Sequence, residues 1–324
     1  MKNKTMNRYD IIGDIHGECA ALEYLLAKLG YHEGPEGYSH PEERKAIFVG
    51  DLIDRGPNSR GALHLVRRMK DAGNADVIMG NHEFNFVSYK TPNSEGGFLR
   101  PHNEKNDSQV AATLKSFSGH EDEIPEFLEW MRSLPLFLDF GDFRVVHASW
   151  ISEDICYLKD KSLLDDPFLQ EANRKGSRAY EAIEHVLKGL ELPLPNGKQI
   201  NDSNGIPRKE MRIRWWGENS GLTWKEIAFP PLPDLEDDSP VRLADMERLV
   251  DYAGTEPPVF FGHYKLTHSD LRLEALNVKC LDYGLGHGGP ATAYRWDGDS
   301  ELDLSRVVQC HQTAPSKLAS IAKP

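Results

Sequence analysis

Three times in the first third of the chain an apolar run stops at a glycine and hands over to polar side chains. The strongest instance is Ala46-Ile47-Phe48-Val49 followed by Gly50-Asp51-Leu52-Ile53-Asp54-Arg55-Gly56-Pro57. A buried strand ending in such a loop delivers Asp51 and Asp54 together into a crevice. Two carboxylates so placed repel each other unless cations neutralise them, and Arg55 is the loop's one basic residue, so a divalent metal is the economical partner. A Gly-Asp turn after a strand is by itself commonly structural, and the weight therefore rests on the two matching blocks. Tyr9-Asp10-Ile11-Ile12 leads into Gly13-Asp14-Ile15-His16-Gly17, and a helical stripe of Leu22, Leu25, Leu26 and Leu29 follows, ending at Gly30. Taken alone, Asp14 could be a helix-capping carboxylate and His16 a satisfied loop histidine. Ala75-Asp76-Val77-Ile78-Met79 leads into Gly80-Asn81-His82-Glu83, after a helix over about 59–70 whose stripe is Ala62, Leu65, Val66 and Met69. In a mostly parallel α/β sheet the three loops share the carboxyl edge, where such folds bind ligands. Asn81 offers a neutral oxygen ligand, and His82 an imidazole just beyond the metals.

The rest of the chain reads more coarsely. Residues 31–43 look like an exposed connection, and 84–133 like helices of a surface lobe. A β-hairpin over 136–147 ends in His147. Residues 151–252 change character and read as an inserted cap, with a charged helix near 177–190, a basic cluster of Arg208, Lys209, Arg212 and Arg214, and the pair Trp215-Trp216. The basic cluster is expected to face substrate phosphate, the tryptophans to pack the cap. Val259-Phe260-Phe261 restores a strand ending in Gly262-His263, with further strands over 278–282 and 292–296. The turn from Gly284 to Gly289, which contains His287, opens no helix, so a nucleotide-binding fingerprint is disfavoured. The expected organisation is one catalytic domain over 8–310, with the cap inside it, and a tail over 311–324.

Among 324 residues the formal net charge is −13, which argues against broad electrostatic binding to nucleic acid or anionic membrane. No apolar stretch is long enough for export or for spanning a membrane. Cys19, Cys156, Cys280 and Cys310 form no Cys-x-x-Cys pair, so reduced thiols and a cytoplasmic location are expected.

Taken in order, Asp14-Ile15-His16 after a glycine, Gly50-Asp51 with Asp54-Arg55-Gly56, Gly80-Asn81-His82-Glu83, His147 at a strand end and Gly262-His263 resemble the calcineurin-like metallophosphoesterases, specifically the phosphoprotein phosphatase branch. The resemblance spans Ile11 to about Tyr283. It implies a four-layered α/β/β/α sandwich with two divalent metals at the strand ends. Asp14, His16 and Asp51 would bind the first metal. Asp51 would bridge to the second, completed by Asn81, His147 and His263. Oxygen and imidazole ligands suit manganese, the expected metal, or iron or zinc, better than calcium. The implied reaction is hydrolysis of a phosphoester or phosphoanhydride bond by a hydroxide bridging the two metals. His82 would protonate the leaving oxygen, Asp54 would orient its ring, and Arg55 would hold the phosphate. This chain departs from the protein serine/threonine phosphatases at Met79, where they carry arginine, and at Ala148 and Ser149, where they carry glycines. With Leu281-Asp282-Tyr283-Gly284 running to Gly288-Gly289, it looks more like bacterial dinucleoside polyphosphate hydrolases. Arg212 or Arg214, or their neighbours Arg208 and Lys209, could replace the missing arginine. A phosphorylated small molecule, a nucleotide, a dinucleoside polyphosphate and a phosphoprotein all stay open as substrate. The rival of another class is a catalytically silent, metal-binding regulatory protein, whose expected mark, loss of a ligand, is absent from the matched set.

Overall fold

The sheet that carries the three glycine loops begins with β1 (Tyr9–Ile12), which is buried along its whole length. It feeds α1 (Cys19–Leu29), whose four leucines are buried as their spacing predicts and which stops at Gly30 in the left-handed conformation. The next segment is not the open connection its Gly-, Pro- and Glu-rich composition suggests. It folds into a hairpin of β2 (His32–Gly34) and β3 (Gly37–Ser39), closed where Gly34 pairs with Gly37 around Pro35 and Glu36. Strand β4 (Lys45–Phe48), helix α2 (Ser59–Asp71) and strand β5 (Ala75–Val77) then repeat the first unit. The computed structural model describes residues 8–201, 207–232, 235, 238–246, 249–250, 252–267 and 271–311; apart from His311, the expected tail lies outside them.

Helices α3 (Asn81–Lys90), α4 (Glu104–Ser116) and α5 (Ile124–Arg132) follow. They correct the expectation of a surface lobe, because every residue of α3 from Asn81 to Tyr89 is buried. Asn, His, Glu and Ser in that helix hide its burial from a hydropathy reading, and Asn81, His82, Glu83 and Asn85 find partners inside the protein: Asn85 Oδ1, for example, accepts from Arg100 at 2.9 Å. A hairpin of β6 (Phe137–Asp139) and β7 (Arg144–Val146) comes next. Helices α6 (Ser152–Leu158), α7 (Asp166–Ala172) and α8 (Arg178–Lys188) lead to short strands β8 (Glu191–Pro193), β9 (Ile200–Asn201), β10 (Pro207–Arg208) and β11 (Glu210–Arg212) and to single-turn helices α9 (Trp224–Ile227) and α10 (Leu243–Met246). The chain closes with β12 (Val259–Phe261), β13 (Val278–Cys280), β14 (Ala291–Trp296) and β15 (Val307–Cys310).

Beside three two-stranded pairs, two larger sheets result, ordered β15-β14-β1-β4-β5 and β13-β12-β7-β6. In the first, β1, β4 and β5 are mutually parallel, while β14 and β15 add antiparallel strands. Alternation divides each strand between two environments. Ile11, Ile47 and Tyr294 join Phe143, Val145 and Phe260 of the second sheet in one apolar cluster. Ile12, Phe48 and Ala293 belong instead to the cluster that contains Leu22, Leu25, Ala62 and Val66 of the flanking helices. The fold is thus a mixed α/β sandwich with helices outside two facing sheets, as the resemblance implied. Within 151–252, Trp215 and Trp216 are buried with rings 5.4 and 5.6 Å from Phe261, and the Trp215 indole donates to the Ala148 carbonyl at 3.0 Å. The tryptophans therefore pack this region onto the second sheet.

Register brings the polar loops to one edge. Ile12 pairs with Phe48, and Phe48 with Val77, so the chain leaves the three parallel strands at nearly one level. In the second sheet β7 and β12 run parallel, and Gly262 N–H donates to the His147 carbonyl at 2.9 Å, setting His147 beside His263.

Candidate metal centre

The first two loops are zipped together by backbone. Ile15 and His16 N–H both donate to the Asp51 carbonyl (2.9 and 2.8 Å), Gly17 N–H to that of Leu52, and Gly56 N–H to that of His16. The third loop is pressed against the second so closely that a Cβ on Gly50, where φ is +96°, would lie 2.6 Å from the Gly80 backbone. Likewise a Cβ on Gly262 would meet an Asp14 carboxylate oxygen at 1.9 Å. Side chains at these two positions would push the loops, and the ligands they carry, apart.

Asp51 is the centre of the arrangement. Its carboxylate lies 3.7 Å from His16 Nε2, 3.3 Å from His147 Nε2 and 3.9 Å from His82 Nε2, and it accepts from the His82 backbone N–H at 2.9 Å. Two ligand sets converge on it. One is His16, Asp51 and His82; the other is Asp51, His147 and His263, with the atoms of each set within 4.8 Å of one another. Asn81 Oδ1 joins the second set, 3.0 Å from His147 Nε2 and 2.8 Å from His263 Nδ1. Asp14 borders the first, with an oxygen 3.9 Å from His16 Nε2 and its carboxylate accepting from the His263 N–H at 3.1 Å. Backbone carbonyls orient two of the rings: His16 Nδ1 faces Ile53 O at 3.1 Å and His147 Nδ1 faces Val49 O at 2.7 Å, leaving both Nε2 atoms toward Asp51. The six residues expected from the sequence as ligands are thus neighbours around one carboxylate. His82, expected as a proton donor, is as close to Asp51 as Asp14 is to His16.

Titration follows from this crowding. Burial first, then Asp282 and Asp51, push the Asp14 carboxyl well above the ordinary value. Burial also opposes ionisation of Asp51, yet the imidazoles of His147 and His82 win and hold it well below. Burial drives His263 well below its ordinary value, helped by the nearby Arg212 guanidinium, and does the same to His16, helped by His82. Among the described residues neither Asp14 nor Asp51 has a Lys or Arg at ion-pair distance; their partners there are imidazoles. Buried carboxylates without a cation are costly, and neutral imidazole nitrogens with oxygen donors around them are the donor set that a borderline divalent ion takes. The residues present fit such an ion.

His82 Nδ1 lies 2.6 Å from Asp54 Oδ2. Burial disfavours its imidazolium, but Asp51 and Asp54 outweigh burial and raise its pKa. Asp54 is itself fixed: its other oxygen accepts from Thr113 Oγ1 at 2.5 Å, and its N–H donates to Thr113 Oγ1 and Ser59 Oγ. Arg55 is exposed at the rim. Arg212 lies near His263, with its guanidinium 5.9 Å from the Tyr264 ring centre and 3.6 Å from Glu191. Arg214 turns elsewhere, donating to the Trp216 carbonyl at 3.1 Å, and Arg208 sits exposed on β10. Of the two cap arginines expected at the substrate, Arg212 lies near His263, whereas Arg214 bonds the Trp216 carbonyl.

Three residues escaped the sequence reading. Glu83 takes four backbone N–H bonds, from Asp51 (2.8 Å), Leu52 (2.7 Å), Ile53 (3.3 Å) and Gly80 (3.1 Å), and so clamps the second loop to the start of α3. Its place directly after His82 was the available signal. Thr113 had none, lying 59 residues from Asp54 in an unremarkable helical stretch. Asp282 is buried, accepts from Lys265 and Gly284 N–H, and sits close enough to raise the Asp14 pKa.

The sequence pattern of the calcineurin-like phosphoesterases matches residues 8–264. An asymmetrical bis(5'-nucleosyl)-tetraphosphatase, PrpE of Halalkalibacterium halodurans, is 33% identical over 155 residues, which are 46% of this chain and 59% of that protein. The chain therefore spans less than two thirds of the length of that relative. A symmetrical bis(5'-nucleosyl)-tetraphosphatase of Vibrio vulnificus is 23% identical over 320 residues, covering 92% of this chain and 98% of its own. Among solved structures, a protein serine/threonine phosphatase of Saccharomyces cerevisiae covers 95% of this chain and 80% of its own at 14% identity and a TM-score of 0.50, a likeness of fold. Among the described residues no helix is long and apolar enough to cross a membrane.

Proposed function

Since the chain belongs to the calcineurin-like phosphoesterase family, we propose that it is a hydrolase that cleaves phosphoester or phosphoanhydride bonds with two divalent metal ions. The observation that carries this reading is the meeting of Asn81 Oδ1 with His147 Nε2 and His263 Nδ1 beside the Asp51 carboxylate. Asp14, His16 and Asp51 would hold one cation, and Asp51, Asn81, His147 and His263 the other. When bound, the pair lowers the pKa of a water and screens the charge of the phosphoryl oxygens. Manganese is the metal of first choice for this oxygen and imidazole set, with iron and zinc as alternatives.

The chain's own groups do the rest. Arg55, exposed at the rim, holds a phosphate oxygen pair. His82, kept protonated at Nδ1 by Asp54, turns Nε2 toward the centre and gives its proton to the leaving oxygen. Arg212, beside His263, offers a second positive contact. The described residues of 151–252 would cap this edge of the sandwich. The substrate is a phosphorylated small molecule, a nucleotide or a phosphoprotein. Relatives named as tetraphosphatases favour a dinucleoside polyphosphate, the second reading. Four free cysteines suit a reducing cytoplasm.

The test compares a phosphopeptide, an aryl phosphate and diadenosine tetraphosphate side by side, after chelation and after manganese is restored. Hydrolysis of at least one, lost with chelator and regained with metal, is expected. Asp51→Asn should lose both turnover and the second equivalent of bound metal. Metal binding without turnover of any substrate, with manganese, iron or zinc, would leave the silent regulatory protein as the better account.

A further inference from the structure

The glycine-rich turn from Gly284 to Gly289 lies against the rim of the metal centre, and three observations agree on how. A Cβ on Gly286 would be 2.8 Å from Arg55 Cδ and 2.8 Å from His16 Cβ, so the turn packs on both side chains. The Arg55 guanidinium contacts His287 Nε2. Among the described residues Arg55 has no carboxylate at ion-pair distance, and its one hydrogen-bonding side-chain partner is this imidazole. Guanidinium can only donate and keeps its charge at any working pH. His287 Nε2 must then accept, which puts the ring's proton on Nδ1 and makes the imidazole neutral.

From this geometry we infer that His287 is a positioning residue for Arg55: a neutral acceptor that fixes the guanidinium over the centre without cancelling its charge. The inference rests on the reading of Arg55 as the residue that holds substrate phosphate. A carboxylate at 287 would orient Arg55 equally well but would spend its charge before phosphate arrived. An alkyl side chain would leave the charge but let a long, exposed side chain wander. Imidazole avoids both, provided it stays neutral. Partial burial, with Arg55, Lys265 and His82 facing it, pushes its pKa down to about 4. A neutral ring through the physiological range follows.

The experiment uses the full chain loaded with manganese, with inorganic phosphate as the probe in calorimetry. His287→Ala should weaken phosphate binding roughly 3- to 10-fold, His287→Asp at least as much, and His287→Gln, which keeps a neutral acceptor, less than about twofold. In an Arg55→Ala background His287→Ala should add nothing. Equal losses in both backgrounds, or tight binding by His287→Asp, overturn the inference. A second measurement needs neither metal nor turnover. Side-chain nitrogen shifts of His287 should report the Nδ1–H tautomer, and Arg55→Ala should move its titration upward toward the ordinary histidine range. A dominant Nε2–H form, or a titration that ignores Arg55→Ala, overturns it too. Wild-type protein that neither binds phosphate nor hydrolyses any substrate would instead count against the proposed function, and the nitrogen shifts would still decide the role of His287.

Discussion

Glu83→Gln separates the clamp from the metals. The two oxygens of Glu83 divide four backbone donors between them: Oε2 serves Asp51 and Gly80, and Oε1 serves Leu52 and Ile53. In the glutamine variant one oxygen becomes an NH2 group, so whichever way the amide turns, two buried N–H donors face a third. Within each pair one bond is short, 2.8 or 2.7 Å, and one long, 3.1 or 3.3 Å, and the short bond dominates the loss. An orphaned buried donor costs about 1–3 kcal/mol, and a bond to a charged acceptor lies at the upper end. Relief works the other way. Burial, then Asp51, pushes the Glu83 carboxyl up to about 7, so removing its charge recovers part of the cost. The expected net loss for the chelator-treated protein is about 2 kcal/mol in urea unfolding. Because Asp51 rides on the clamped loop, manganese affinity should fall as well, by roughly tenfold, the size seen when partners behind a metal ligand are altered. Stability within about 0.5 kcal/mol of wild type together with unchanged metal affinity would show that the loop holds Asp51 without Glu83.

Thr113→Val keeps the shape of the residue but removes the donor to Asp54. Lost orientation of His82 should lower kcat about tenfold, equivalent to about 1.4 kcal/mol, with KM nearly unchanged and with recovery in Thr113→Ser; a kcat within about twofold of wild type would remove Thr113 from the relay. Between α6 and α8, the Asp154 carboxylate meets His185 Nδ1 at 2.8 Å and Arg178 at 2.5 Å. Burial opposes its ionisation, but these two partners hold its pKa below the ordinary value. A depressed folded pKa gives stability that is present above the unfolded carboxyl value, about 3.9, and is lost as pH falls through the folded value. The urea midpoints of wild type and Asp154→Asn should therefore differ at pH 6 and converge at roughly pH 2–3; a constant gap would mean that the pair contributes no pH-dependent stability.

The candidate ligands were legible because each of their loops follows a short strand rich in apolar residues, and a parallel sheet sends such loops to one edge. Asp14, Asp51, Asn81, His147 and His263 needed no long-range contact to be nominated. The residues that support them did. Thr113 reaches Asp54 only because α4 packs beside α2, a tertiary fact without local trace. Helix α3 misled for the opposite reason, since Asn85 and Glu83 are satisfied by partners outside the helix, Arg100 and the 51–53 backbone. Arg212 and Arg214 show the limit of composition. They are two residues apart, yet one ends near His263 and the other bonds the Trp216 carbonyl, and no count of basic residues separates them.

Backbone strain gathers around the candidate metal centre. Of eight non-glycine residues with positive φ among those described, five are site residues: His16 (48°), Asp51 (53°), Asp54 (70°), Arg55 (64°) and His263 (69°). Left-handed backbone costs an L-residue about 1–2 kcal/mol, and it persists where surrounding bonds over-determine it, as the Glu83 clamp and the zipped loops do here. Arg55 allows the strain to be measured, because its side chain is exposed and can be removed in two ways. Arg55→Ala and Arg55→Gly both delete the guanidinium and its contact with His287, so both should weaken phosphate binding alike, about tenfold or more. They differ only in backbone. Alanine keeps the left-handed penalty, whereas glycine escapes it while gaining about 0.5–1 kcal/mol of unfolded-chain entropy to lose on folding. The glycine variant should come out more stable than the alanine variant by roughly 0.5–1 kcal/mol in chelator-treated protein. Were alanine equal or better, the left-handed turn at Arg55 would cost nothing, and the loop would need no clamp to hold it there.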